Sequence, residues 1–344
     1  MFNPNAPAKQ IDLDARNLAA ARQKQLTKPP GSLGRLEQLA IDFAGWQGNE
    51  IPVLKRIVVR VYAADHGVSA QGVSAFPAEV TAQMIHNFCA GGAAISVLAK
   101  QHNCDFEVWN IGTLEPTEDL PKLHNVQIRN GSKDFSQQPA MSSDELEAAM
   151  SAGAESVPTD TELFIGGEMG IGNTTSASAL MAALLDLKAE QVVGMGTGLD
   201  DAGLRRKREI VTASLVRHAK GNPSTFERLR RLGGLEIAAL VGAYLQCAQQ
   251  GTPILVDGFI CTVAAAYAVA LSATSRDWML FAHYSNEHAH KRLLDNLDAS
   301  PLLNLDMRLG EGSGAAVAIP LIRSALMLHA GMATFSDARV SDKS

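Results

Sequence analysis

The stretch RIVVRVYAADHG, residues 56 to 67, is a short apolar, β-branched run that stops at a polar turn ending in glycine. A run apolar on both faces of a strand belongs to a sheet covered on both sides, and such sheets are mostly parallel. The pattern returns in FEVWNIGT (106 to 113), ELFIGGEMGIG (162 to 172), QVVGMGTG (191 to 198), TPILVDGF (252 to 259) and WMLFAHYS (278 to 285). Helical periods separate most of these runs: EVTAQMIHNFCAGGAAISVLAK, SDELEAAMSAGAESV, TTSASALMAALLDL, DAGLRRKREIVTASLVRHA, LEIAALVGAYLQCAQQ and TVAAAYAVALSA. The alternation predicts an α/β fold, a mostly parallel sheet with helices on both faces.

Outside the repeat lie helical periods in IDLDARNLAAARQKQLTK and PPGSLGRLEQLAIDFAGWQ near the start, and SGAAVAIPLIRSALMLHAGMA near the end. They are expected to pair as a small helical lobe, 1–49 with 306–344, beside a large α/β domain over 50–305. Residues 114–142, rich in Pro, Ser and Gln, read as a long loop with one edge strand at NVQIRNG, and the polar tail SDARVSDKS reads as frayed.

At 344 residues the chain exceeds one ordinary domain, and 46% hydrophobic against 19% charged residues suits a well-packed globule. A net charge of −6 without a basic stripe gives no footprint for nucleic acid and nothing to attract anionic lipid. Cys89, Cys104, Cys247 and Cys261 lie far apart with no CxxC pair, which fits a reducing, cytoplasmic setting. The longest apolar stretches are broken by charge or glycine before the roughly 20 residues a membrane span needs, so no span is expected. Small molecules are the expected partners.

In open parallel sheets ligands sit beyond the carboxyl ends of the strands, and there the unusual residues gather: DHG, IGGEMGIG, GMGTG, DGF and HYSNEH. GGEMGIGNTTSAS (166 to 178) turns from strand to helix through glycines into Asn173, Thr174 and Thr175, natural N-cap residues, so a phosphate site and a plain tight turn stand level. No GxxxxGK[ST] occurs, and GIGNTT lacks the last glycine of GxGxxG. Lys207, flanked by Arg205, Arg206 and Arg208, belongs to a basic helix of which one member is free to turn inward to an anion. Lys28 or Arg35, in KPPGSLGRLE, offers the same service. His283, His288 and His290 in HYSNEHAH invite a metal reading, but their helical spacing divides them and no HExxH is present. Ser285 and Asn286 read better as an N-cap or a hydroxyl contact. Asp257 either binds a ribose hydroxyl or organises its turn. The stretch 64 to 84 offers Phe76, Gln83 and Met84 as a slot for a flat heteroaromatic ring, against the ordinary reading of a loop capped by a core helix.

RLGEGSGAA (308 to 316) places Glu311 between two glycines just before the last helix, with Ser313 as the expected N-cap. Helix-dipole stabilisation explains an acid there but not bare backbone on both sides of it, nor Arg308. A carboxylate serving as a base needs burial enough to raise its proton affinity, which the dipole opposes.

In this order over nearly the whole chain, KPPGSLGRLE, ADHGV with EVTAQM, GEMGIGNTT, GTGLDD, VDGF, HYSNEHAH and RLGEGSGAA resemble the nicotinate-nucleotide:dimethylbenzimidazole phosphoribosyltransferases. The resemblance implies transfer of 5-phosphoribose from nicotinate mononucleotide to 5,6-dimethylbenzimidazole with inversion at the anomeric carbon, giving α-ribazole 5'-phosphate and nicotinate, without metal or cofactor. It implies a catalytic carboxylate at Glu311; on chemical grounds Glu168 is the second candidate, a partner orienting that base or a water near it. Phosphate contacts fall on the Glu168–Thr175 loop, including Gly170, Gly172, Asn173, Thr174 and Thr175, and on Lys207. The base pocket falls on residues 65 to 84, Asp65, Phe76, Gln83 and Met84 among them, with Arg308 and Ser285 beside it. A homodimer with a Rossmann-like large domain is implied as well. From the residues alone, a dinucleotide-dependent oxidoreductase and a non-catalytic nucleotide sensor stand as alternatives; NADH binding tests the first and product formation the second.

Overall fold

The computed structural model describes residues 2–196 and 198–341. Six strands form one parallel sheet: β1 (Ile57–Ala64), β2 (Asp105–Gly112), β3 (Leu123–Asn125), β4 (Leu163–Met169), β5 (Ile254–Val256) and β6 (Met279–Phe281). Their spatial order is β3-β2-β1-β4-β5-β6. The chain builds outward from β1 in one direction, then returns to lay β4 on β1's other side. The crevice between the carboxyl ends of β1 and β4 is therefore the topological switch point, where a ligand meets two loops leaving in opposite directions. A short parallel ladder of β7 (His283–Tyr284) and β8 (Leu303–Asn304) stands apart.

Helices cover both faces. They are α1 (Leu13–Gln25), α2 (Arg35–Gln47), α3 (Glu79–Ala90), α4 (Ala94–Gln101), α5 (Ser143–Glu155), α6 (Asn173–Leu185), α7 (Asp201–His218), α8 (Thr225–Leu232), α9 (Leu235–Gln250), α10 (Phe259–Leu271), α11 (His290–Asn296), α12 (Ser313–Gly331) and α13 (Phe335–Ala338). Alternation along β1 shows why its run is apolar throughout. Val58 and Tyr62 join the core under α5, α6, α9 and α10, while Val59 and Val61 join the opposite core with α2, α3, α4 and α12. The one charge inside β1, Arg60, is buried and answered by Asp105 and Glu107 of the neighbouring strand, each at 3.1 Å.

Several sequence expectations shift. QVVGMGTG is not a strand: after a single turn at Ala189–Gln191 it runs irregularly, with Val192 and Val193 buried in the core. It finds no place between β4 and β6 in the sheet, because β4 pairs with β5 and β5 with β6. Thr197 of that motif lies outside the described residues. The edge strand begins and ends earlier than NVQIRNG; beyond Asn125 the chain still hydrogen-bonds to β2, but Gln127 at φ 45° breaks the extended run. The helical period over 79–100 is two helices, parted at Gly91 with φ 85°. In the tail, residues 335–338 form α13, and 342–344 lie outside the described residues. Contrary to the expectation that no stretch qualifies, α12 is long and apolar enough to cross a membrane. Its apolarity is spent on the core instead, where Ala315, Ala318, Ile319 and Ile322 pack against the sheet, α2 and α4.

Candidate active site

At the switch point the loops enclose a cavity of ≈ 450 Å³. Of the residues singled out from sequence, Glu168, Gly170, Asn173, Thr174, Phe76, Met84, His283, Ser285, Arg308 and Glu311 line it. Gly172 and Lys207 border a small adjoining cleft shared with Gly170, Asn173 and Thr174.

That cleft is built by the turn from β4 into α6. Gly172, at φ 99°, is the N-cap, so Asn173 and Thr174 stand one place further into the helix than expected. Their side chains look outward to the cavity rather than back to the helix: the Asn173 amide donates to Glu168 Oε2, and Thr174 Oγ1 accepts from Lys207 Nζ at 2.8 Å. Of the basic cluster on α7, Lys207 is the member that turns inward, 1% exposed. Burial pulls its ammonium down to about 8, against the carboxylate of Glu287, which favours the charge. The positive end of a helix, a hydroxyl and a buried lysine together make an anion site.

Thr175 is buried in α6 and Gln83 faces solvent, so neither reaches the cavity. Asp65 is also off the cavity: it accepts from Thr81 Oγ1 at 2.6 Å and from the Leu114 N–H at 2.9 Å, tying the end of β1 to α3 and to the next loop. Beneath the glycine turn His66 and Glu236 pair at 2.7 Å, both fully buried. Sequence reading passed over that pair, since nothing in the spacing of 66 and 236 joins them.

Glu311 enters from the other side. Residues 310, 311 and 312 adopt φ of 88°, 66° and 87°, three left-handed residues in a row, of which only the middle one is not glycine. Such backbone strains a side-chain-bearing residue and persists where its surroundings fix it. Gly167 of β4 fixes it, since a methyl there would overlap the Glu311 carbonyl. Asp257, at the end of β5, supplies the second restraint, accepting from Gly312 N at 3.1 Å and Ala315 N at 2.8 Å. Both its oxygens are thereby committed to the start of α12, which decides for the structural alternative. Ser313 is not the N-cap but the first helical residue, its hydroxyl donating to the Gly310 carbonyl at 2.7 Å.

Glu311 is 6% exposed as a residue, and its Oε2 is buried with no hydrogen-bond partner among the described residues. Burial lifts it to about 7, helped by Asp257 and opposed by the Ile95 N–H at the start of α4. Glu168 shifts the same way: burial, with Glu236, Asp257 and Glu311 nearby, holds it well above the ordinary carboxylate range. Near neutral pH the cavity thus presents Glu311 poised between its two forms, beside a second acid whose proton affinity is raised by the same burial.

Between these acids and the outside lies an apolar slot formed by Phe76, Val80, Met84, Met169, Ile171 and Leu309. Ser285 borders it but caps no helix, because α11 starts after Ala289. His290 is spoken for, Nδ1 accepting from the Ser285 N–H and Nε2 facing Thr262 Oγ1, each at 2.9 Å. Burial, with His283 beside it, drives His290 down to about 3. Among the described residues no three His, Cys, Asp or Glu side chains are placed to hold a metal. Lys28 pairs with Glu37 at 2.7 Å, and Arg35 lies in a separate cleft of ≈ 240 Å³ near Asp42 and Arg276. Neither faces the main cavity.

A family model described as phosphoribosyltransferase (DBI_PRT) matches residues 8–340. The nicotinate-nucleotide–dimethylbenzimidazole phosphoribosyltransferase of Xanthomonas axonopodis pv. citri is 55% identical over 335 residues, covering 96% of each chain. That of Pseudomonas aeruginosa PAO1 is 54% identical over 339 residues, covering 97% of each. The crystal structure of CobT from Thermus thermophilus superposes with a TM-score of 0.92 at 43% identity, over 96% of this chain and 100% of that one.

Proposed function

Because the chain belongs to this phosphoribosyltransferase family, we propose that it moves 5-phosphoribose from nicotinate mononucleotide to 5,6-dimethylbenzimidazole, with Glu311 as general base and inversion at the anomeric carbon. The observation that carries the reading is the unpartnered Glu311 oxygen, buried at the end of an apolar slot whose far side is an anion site.

In this reading the 5'-phosphate lies on the Gly170–Thr174 turn and Lys207, and the benzimidazole lies flat between Phe76, Met84 and Leu309. One ring nitrogen attacks the anomeric carbon from the face opposite nicotinate. As that bond forms, positive charge makes the other nitrogen's N–H acidic, and Glu311 takes the proton. Positioned base catalysis contributes about 10²- to 10⁴-fold. Nicotinate departs as its pyridinium nitrogen regains a lone pair, so no acid has to assist it. Glu168, whose proton affinity burial raises, stands near Glu311 as the second acid of the site. In line, both substrates gain further from being held rather than meeting by diffusion.

The test is incubation with both substrates, followed by proton NMR of the ribosyl product. An α-configured product supports the reading; a β product would overturn the inversion, and no product would overturn the assignment of substrates. The same family premise supports a homodimer acting in the cytoplasm, with α1, α2 and α12 as the core of a small lobe beside domain 50–305. Light scattering tests the assembly.

A further inference from the structure

Asp257 already accepts two N–H groups at the start of α12, so the acceptor for a ribose in the cavity is sought among the other carboxylates that line it. Glu287 lines the same cavity, and among the described residues its carboxylate makes no hydrogen bond or ion pair. Its place relative to the anion site follows from two glycines of the 194–196 segment. A methyl on Gly196 would lie 3.3 Å from Lys207 Nζ, and one on Gly194 would lie 3.2 Å from Glu287 Oε2. The ammonium and the carboxylate thus abut one stretch of backbone at glycines two residues apart, and each charge acts on the other. An anion site ordinarily excludes a carboxylate, so an unpaired one kept this near it points to a hydrogen-bond donor on the ligand. A cis-diol supplies two, and a carboxylate accepts both.

We propose that Glu287 accepts the 2'- and 3'-hydroxyls of the ribosyl donor and so selects ribo over 2'-deoxyribo substrates. The inference rests on the phosphoribosyl reading of the cavity, and the test separates the two. Nicotinate mononucleotide and its 2'-deoxy counterpart are titrated by calorimetry into the wild type, E287Q and E287A. The wild type should favour the ribonucleotide by roughly 10- to 100-fold, as expected for one hydrogen bond to a charged acceptor. E287A should bring the two affinities within about threefold, by weakening the ribonucleotide alone, and E287Q, which keeps one acceptor oxygen and the shape, should recover part of the preference. An unchanged ratio in both variants overturns the proposal. So does tighter binding of both nucleotides to E287A, which would make Glu287 only the counter-charge of Lys207. Failure of the wild type to bind either nucleotide would instead overturn the phosphoribosyl reading itself, and this inference with it.

Discussion

Replacing Glu311 with glutamine tests mechanism and energetics in one variant, because the amide keeps the shape and removes the titration. The folded carboxyl sits at about 7 against an ordinary 4.5. At ~1.4 kcal/mol per tenfold change in proton affinity, this amounts to about 3 kcal/mol if wholly expressed. The carboxyl borders an open cavity, and solvent screening reduces the figure to about 1–2 kcal/mol. Its sign follows from the direction of the shift. A group whose folded proton affinity exceeds its unfolded one stabilises the fold while protonated and loses that contribution as pH rises through about 7. Glutamine loses nothing there. Urea unfolding at pH 8 should therefore find Glu311→Gln more stable than the wild type by about 1–2 kcal/mol, and the gap should narrow as pH falls toward 4.5, the ordinary value. In single-turnover measurements at pH 7.5 the same variant should be slower by about 10²- to 10⁴-fold. The rising limb of wild-type kcat/KM near pH 7 should also be missing from its residual activity. Turnover within tenfold of the wild type, together with a stability gap that ignores pH, would refute the argument that a buried, proton-hungry carboxylate does the chemistry.

Two further outcomes are expected. Gly167→Ala puts a methyl into the Glu311 carbonyl, and that backbone has nowhere to go without moving the carboxylate. Overpacking of this kind costs about 1–3 kcal/mol, and a misplacement of about 1 Å lowers kcat/KM on the order of 10²-fold; a variant with near-normal kcat/KM would show that the loop's position is not held by β4. Lys207→Ala should weaken nicotinate mononucleotide by roughly 10- to 100-fold while leaving dimethylbenzimidazole within about threefold, as calorimetry would show. The wild-type kcat/KM for the nucleotide should fall above pH about 8, where the free lysine loses its proton, and Lys207→Ala should lack that limb.

The alternation of apolar runs with helical periods was enough to set the α/β class, because burial on both faces leaves its mark on every residue of a strand such as 57–64. The runs alone could not show which of them find a place in the sheet. QVVGMGTG has a strand's composition, but strand pairing is a long-range choice, and β1 and β5 occupy the two positions beside β4. N-caps slipped by a residue at Gly172 and Gly312 for a related reason: a left-handed glycine begins both helices, and at the second the N–H groups are answered by Asp257, 55 residues away.

For the cavity, local chemistry alone marked the glycine turn, the basic helix and a carboxylate on bare backbone, since each needs only neighbours in the chain to look unusual. It did not say which cation of RRKR turns inward, that Asp257 spends itself on α12, that Gln83, Thr175 and Asp65 point elsewhere, or that Glu287 faces the ligand space. Those outcomes depend on desolvation and close approach between segments that share no sequence proximity. Burial sets the proton affinities of Glu311, Glu168 and Lys207, and burial exists only once the sheet has brought β1, β4 and the loop before α12 together.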